Sequence, residues 1–175
     1  MFAKADFTKV KSVNYNFCGI YLLHKNIVYL LDMPTDYTNA RSAPVIVIYV
    51  KYRDKWLLVK RSDRHLTYQG MWSCLAGFVD DEKSMEDKVR FEIEEELGLK
   101  QSDIKQIKQG ETYLFVDKTL DREWIRHLFF VEITNPSLNL SWEHSEYVWI
   151  PAEDAEKYET TPGFSDDLKE IVTLA

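Results

Sequence analysis

Three glutamates, Glu92, Glu95 and Glu96, stand at spacings that put them on one flank of a single helix. The helix has both ends marked. Ser84 can cap its first turn with Asp87 three residues on, Gly98 can end it, and Val89, Ile93 and Leu97 recur every four residues as an apolar stripe. Within that frame the acids are poorly placed for stability. Glu92 and Glu96 are like charges at i,i+4, which costs roughly 0.2–0.5 kcal/mol, and Glu94 to Glu96 fall in the last turn, where the helix dipole disfavours anions. A bound cation removes both objections. Carboxylates at i, i+3 and i+4, all oxygen donors, suit a hard divalent ion such as Mg²⁺, which keeps several waters and takes its other ligands from substrate phosphates. The competing reading is a solvated acidic face.

The residues around the glutamates favour the metal. From Gly77 to Leu99 the chain resembles the signature box of the Nudix hydrolases: a Gly, five residues, Glu, seven residues, then Arg-Glu-apolar-any-Glu-Glu-any-Gly-apolar. Gly77, Glu92, Ile93, Glu95, Glu96, Gly98 and Leu99 fall in register. Lys83 stands where the pattern has its first Glu, and Phe91 where it has Arg. In the family that pair helps hold the loop against the helix, so its loss removes a scaffold interaction while leaving three carboxylate ligands. The resemblance runs from about Val45 to Ala155. It implies an α/β fold, the Nudix-type α/β/α sandwich with a mixed β-sheet, and a Mg²⁺ or Mn²⁺ cofactor held by Glu92, Glu95 and Glu96.

Hydrolysing a phosphoanhydride requires an in-line water, an acceptor for its proton, and neutralisation of the charge growing on the bridging oxygen. The family often adds a carboxylate from a loop before the last strand, as a further ligand or general base. Trp142-Glu-His-Ser-Glu-Tyr-Val-Trp149 occupies that place. Glu143 has the better spacing and is expected to act with Glu96 in catalysis, with Glu146 in reserve. Arg61 ends a segment, Trp56 to Arg61, that resembles the family's second strand, whose terminal Arg often reaches substrate phosphate. Trp72, in Gly70-Met-Trp72, together with Trp142 and Tyr68, are candidates to stack on a base, against the commoner role of an aromatic in the core. His65 has no second ligand near it in sequence.

The surrounding elements follow from periodicity. Phe17–Leu23 and Ile27–Leu31, with His24, Lys25 and Asn26 between, read as a hairpin extending the sheet, after a loosely held start over Met1–Val13. Pro34 to Pro44 reads as a connecting loop, so residues 1–43 form an N-terminal extension and 44–175 the Nudix domain. Val45–Tyr52 is an apolar run too short and too β-branched for a helix, hence a buried central strand, and Trp56–Lys60 returns from it. Ser62–Gly70 reads as a loop. Strands are expected at Ile104–Ile107, Glu111–Val116, Trp124–Ile133 and Tyr147–Ile150, then a helical turn from Pro151 and a terminal helix, Asp166–Leu174, with acids in its first turn.

With 175 residues, 45% hydrophobic and 29% charged, the chain has the makings of an ordinary core. A net charge of -7 argues against a nucleic-acid duplex as partner, since duplex binding relies on Lys and Arg neutralising phosphates. It leaves room for a small phosphorylated ligand neutralised through metal ions. Cys18 and Cys74 lack metal-ligand spacing and read as reduced thiols. The apolar N-terminal run is too short to span a bilayer, so neither membrane nor export is expected and the cytoplasm is the default location; a homodimer is compatible with the extension. The resulting expectation is a Mg²⁺-dependent pyrophosphohydrolase acting on a nucleoside diphosphate linked to another group. The alternative is a catalytically weak or inactive nucleotide-binding module, in which the Lys83 ammonium satisfies the glutamates in place of metal. An isoprenoid diphosphate isomerase would need a catalytic Cys in a context that Cys74 lacks.

Overall fold

A computed structural model describes residues 21–24, 27–30, 35–37 and 39–175. The start over Met1–Val13, the first residues of the leading strand and Cys18 lie outside them. The N-terminal strands β1 (Tyr21–His24) and β2 (Ile27–Leu30) pair antiparallel, Tyr21 with Leu30 and His24 with Ile27. They make a two-stranded sheet of their own instead of extending the main one.

The main sheet has seven strands: β3 (Ser42–Tyr52), β4 (Lys55–Arg61), β5 (Trp72–Ser73), β6 (Leu75–Phe78), β7 (Ile104–Asp117), β8 (Arg122–Ile133) and β9 (His144–Ile150). The order β5-β4-β3-β8-β7 is mixed: β3 runs parallel to β8, and the remaining pairs are antiparallel. β3 is the organising strand because it changes partner midway. Its first half pairs with β6, Ile46 opposite Gly77, and its end pairs with β4, Lys51 opposite Trp56. β9 lies along β4.

The apolar run predicted for β3 is continuous because both faces are covered. Ile46, Ile48 and Val50 join Phe129 and Val131 of β8 under α1 (Met85–Leu97), which contributes Val89, Ile93 and Leu97. The alternate residues Val47 and Tyr49 join Leu128 and Phe130 under α2 (Phe164–Leu174), which contributes Phe164, Leu168 and Ile171. Helix, sheet and helix therefore form the expected three layers.

Several boundaries differ from the sequence reading, each for a local reason. β3 begins at Ser42, inside the expected loop; Pro44 lacks a donor, but its carbonyl accepts from Val79 N at 3.0 Å and so keeps its place in the sheet. Ile104–Ile107 and Glu111–Val116 are one strand, β7, whose register against β8 shifts between Gln109 and Thr112 around Gly110. That glycine lies under α2, where a Cβ would approach Leu174 Cδ1 to 3.0 Å, so it marks an irregularity and not an end. β5 and β6 carry no assignment in the sequence reading; at two and four residues they are too short to show a period.

Candidate active site

The central helix forms as its caps dictate. Asp87 N donates to Ser84 Oγ at 3.1 Å, and Gly98, at φ 66°, closes the last turn with its N–H on Glu94 O. The stripe Val89, Ile93, Leu97 is fully buried, which turns the neighbouring flank inward as well: Glu96 is 2% exposed and Glu92 9%, while Glu95 faces solvent. Two carboxylates are thus carried below the surface by the helix face that packs the core.

Gly77 makes the room for one of them. Any Cβ at this position would overlap Glu92 Oε1 and Cδ, so the carboxylate lies directly against the β6 backbone in space that only glycine leaves. Burial, then the neighbouring Glu96, push the Glu92 pKa up to about 8, and burial with Glu143 and Glu95 close by raises Glu96 well above the carboxylate range. Four acids therefore crowd one region without enough positive charge, and all their donors are oxygen, the chemistry of a hard divalent ion. The cradle at Gly77 and the donor set fit such an ion, which Glu92, Glu95 and Glu96 would hold. Among the described residues, no three His, Cys, Asp or Glu side chains converge in a metal-binding arrangement. Glu96 Oε2 instead meets His144 Nε2 at 2.5 Å. Burial drives the His144 pKa down to about 4, so the pair shares a proton with no net charge on the ring, and His144 Nδ1 finds no partner among the described residues.

The two departures from the signature meet each other. Lys83 Nζ is turned away from the glutamates: it bonds Asp81 Oδ2 at 2.9 Å and stands 5.1 Å over the Phe91 ring. Lys88, buried one turn before Glu92, bonds Asp80 Oδ1 at 2.5 Å and stands 3.5 Å from Asp81 Oδ2. The loop is therefore fastened to the helix after all, through a cation on an aromatic face and a lysine on two aspartates. The scaffold that the sequence reading gave up as lost is replaced, and the ammonium thought able to fill the metal position serves the loop.

Glu143 comes to the site from the loop before β9. That loop is tied to the end of α1 by Asn139 N on Leu97 O (2.8 Å) and Ser141 N on Glu96 O (2.9 Å), and to the end of β4 by Ser62 N on Glu143 O (2.7 Å). Glu143 Oε2 lies 3.0 Å from His65 Nε2, and that bond, outweighing burial, holds the carboxyl below its ordinary range. Arg61 is partly buried; burial lowers its pKa, with Glu143 and Glu96 acting to restore it. Its Nε donates to Thr67 O (2.9 Å) and its Nη2 contacts His65 Nδ1 (2.6 Å) and Thr67 Oγ1 (3.2 Å), so much of the guanidinium serves the loop. In the same loop Tyr68, at φ 55°, donates to Asp117 at the end of β7.

The candidate aromatic residues separate. Trp142 is 54% exposed beside this cluster, with the Arg64 guanidinium 5.1 Å from its ring and His65 6.2 Å away. Trp72 packs edge-on against Tyr158 at 5.2 Å, and its backbone holds Glu159 and Thr161, which ties the C-terminal segment to β5. Glu146 pairs with Lys60 at 2.5 Å on the surface. Cys74 is buried, and its thiol is pushed up to about 12 by burial, which leaves no thiolate for isomerase chemistry. The sequence reading leaves His65 as a histidine without a nearby ligand and does not single out His144. Their partners lie 78 and 48 residues away, so no spacing announces them.

The arrangement agrees with what the chain is similar to. A family model described as the NUDIX domain matches residues 39–170, and the chain belongs to the Nudix hydrolase family. Nudix hydrolase 19, chloroplastic, of Arabidopsis thaliana is 38% identical over 65 residues, 37% of this chain and 14% of that relative, so the match spans a small part of the relative's length. Among solved structures, a MutT Nudix hydrolase from Burkholderia pseudomallei has the same fold, with a TM-score of 0.64 and 19% identity over 74% of this chain and 98% of that one. So does the Nudix domain of Shewanella oneidensis NrtR complexed with ADP ribose (TM-score 0.64, 17% identity, 80% and 92% covered). A C. elegans Ap4A hydrolase follows at 0.56 and 22% identity, with 77% and 97% covered. No described helix is long and apolar enough to cross a membrane.

Proposed function

We infer that the chain hydrolyses a phosphoanhydride bond in a nucleoside diphosphate derivative, using Mg²⁺ or Mn²⁺ held by Glu92, Glu95 and Glu96. One observation carries this: the Glu92 carboxyl is seated against Gly77 beside buried Glu96, two acids desolvated together so that burial and Glu96 raise the Glu92 pKa to about 8 against the pull of Lys88. A chain built only for packing gains nothing from that arrangement, since each buried carboxyl must either ionise at a cost of several kcal/mol or hold its proton far above its ordinary pKa. When bound, the divalent ion supplies Lewis acidity toward the phosphate oxygens and the positive charge that returns both carboxyls to their ionised form.

The chain's own residues supply the rest. Glu143, held ionised, accepts a proton from the attacking water as its oxygen bonds to phosphorus. The bridging P–O bond breaks, and the leaving phosphate departs with the electron pair. Arg61 Nη1, for which no hydrogen bond is seen among the described residues, is directed to a substrate oxygen in this reading, and exposed Trp142 offers a ring face to a base. The relatives complexed with ADP ribose or named for Ap4A support a nucleotide-derived substrate. The engagement of Lys83 with Asp81 speaks against the part of the non-catalytic alternative in which its ammonium satisfies the glutamates.

The test is turnover across a panel of nucleotide diphosphate derivatives with Mg²⁺. Glu96→Gln is expected to lower kcat by at least about 10²-fold. Wild-type rates in that variant on the preferred substrate would sink the assignment.

A further inference from the structure

We propose that His65 is a positioning residue: fixed as its Nε2–H tautomer by Arg61, it aims the Glu143 carboxylate at the site formed by the buried glutamates. The inference rests on the reading of Glu143 as acceptor of the water proton and deepens it.

The argument starts from what each group can do. A guanidinium only donates hydrogen bonds, so Arg61 Nη2, 2.6 Å from His65 Nδ1, requires a lone pair on Nδ1. The ring proton then sits on Nε2, which faces Glu143 Oε2 at 3.0 Å, and a carboxylate only accepts. The opposite tautomer would set N–H against N–H at one end and lone pair against carboxylate at the other. One proton arrangement satisfies the three residues, and it runs in one direction, from Arg61 through His65 to Glu143.

The ring cannot easily swing out of this chain. Gln69 Nε2 holds His65 O at 2.5 Å, His65 N bonds Ser62 O at 3.2 Å, and Arg61 is itself pinned by the carbonyl and hydroxyl oxygens of Thr67. On the far side, Ser62 N fixes the Glu143 backbone. A glutamate on a loop would otherwise sample several rotamers, and misplacement of a reacting group by about 1 Å can cost 10²-fold in rate. The His65 bond occupies Oε2 and leaves Oε1 as the acceptor for water.

Two measurements test this. ¹⁵N NMR of the imidazole is expected to show Nε2 protonated and Nδ1 bare in the wild type, with both tautomers populated in Arg61→Met; a wild-type Nδ1–H signal would overturn the proposal whatever the activity. Kinetically, His65→Ala is expected to lower kcat about 10- to 100-fold with KM within about twofold, and His65→Gln, whose amide N–H can still donate, to recover most of the loss. His65→Ala combined with Glu143→Gln is expected to be no slower than Glu143→Gln alone. Full kcat in His65→Ala while Glu143→Gln and Glu96→Gln are impaired would defeat the positioning role and leave the hydrolase reading standing. Full activity in Glu96→Gln would instead remove the reading, and the positioning role with it.

Discussion

At the scale of single residues, the site depends on an absence as much as on side chains. Gly77 gives Glu92 its seat, and the colliding atoms are the far end of a flexible chain, so Gly77→Ala is expected to fold with a Tm close to wild type while Mg²⁺ affinity and turnover fall by about tenfold or more. Thermal unfolding beside metal titration checks both halves. Glu92 gives the metal-free protein a pH dependence of definite sign. Its folded pKa, about 8, lies above the ordinary 4.5, so the native state holds more protons between those values. Its contribution to stability is full below about pH 4.5 and is lost as pH rises through about 8. Urea unfolding of the apo-protein should weaken across that window, Glu92→Gln should flatten the trend, and Mg²⁺ binding at pH 7 should release protons, seen as buffer-dependent heats in calorimetry. The three helix glutamates could be found in the sequence because i, i+3, i+4 is a local spacing. The buried depth of Glu92 and Glu96 could not, because it depends on which strand lies beneath.

At the scale of elements, the loop from Val79 to Lys83 and α1 act as one piece. Lys88 is the link, buried on the helix with Asp80 and Asp81 of the loop around its ammonium. Lys88→Met is expected to cost roughly 1–3 kcal/mol, less than a fully buried pair because Asp80 keeps some solvent, and to lower metal affinity through a loosened loop; denaturant midpoints and Mg²⁺ titration measure the two effects. The substitutions at Lys83 and Phe91 were visible from the start, but the ring contact between them was not, since a motif read position by position does not ask whether two departures compensate. The helix and the long strands were legible from their caps and periods. The continuity of β7 through Gly110 was hidden because glycine signals a bulge and a turn alike.

At the scale of the whole molecule, the layer under α2 is locked by a polar network far from any motif. Asp167 is 2% exposed and accepts from Arg126 of β8 and from Tyr113 of β7, while Tyr49 of β3 donates to Phe164 O at 2.8 Å. Burial opposes the Arg126 charge, and Asp167 together with Cys74, Tyr49 and Tyr113 more than offsets it, holding the guanidinium pKa above its usual range. Asp167→Ala is expected to destabilise the fold by about 3–5 kcal/mol, because it strands that guanidinium, and equilibrium urea unfolding gives the figure directly. The pairing of β6 with β3 has a further consequence. Ile46 faces Gly77 in the native alignment, and sliding β6 by a single position would swap the faces of all four of its residues, bringing the benzyl group of Phe78 to the spot reserved for the Glu92 oxygens. Such an impostor would keep its strands, its layers and much of its circular dichroism, yet have nowhere to lodge an ion: in this protein, hydrogen-bond bookkeeping between two short stretches of backbone decides whether the chemistry exists at all.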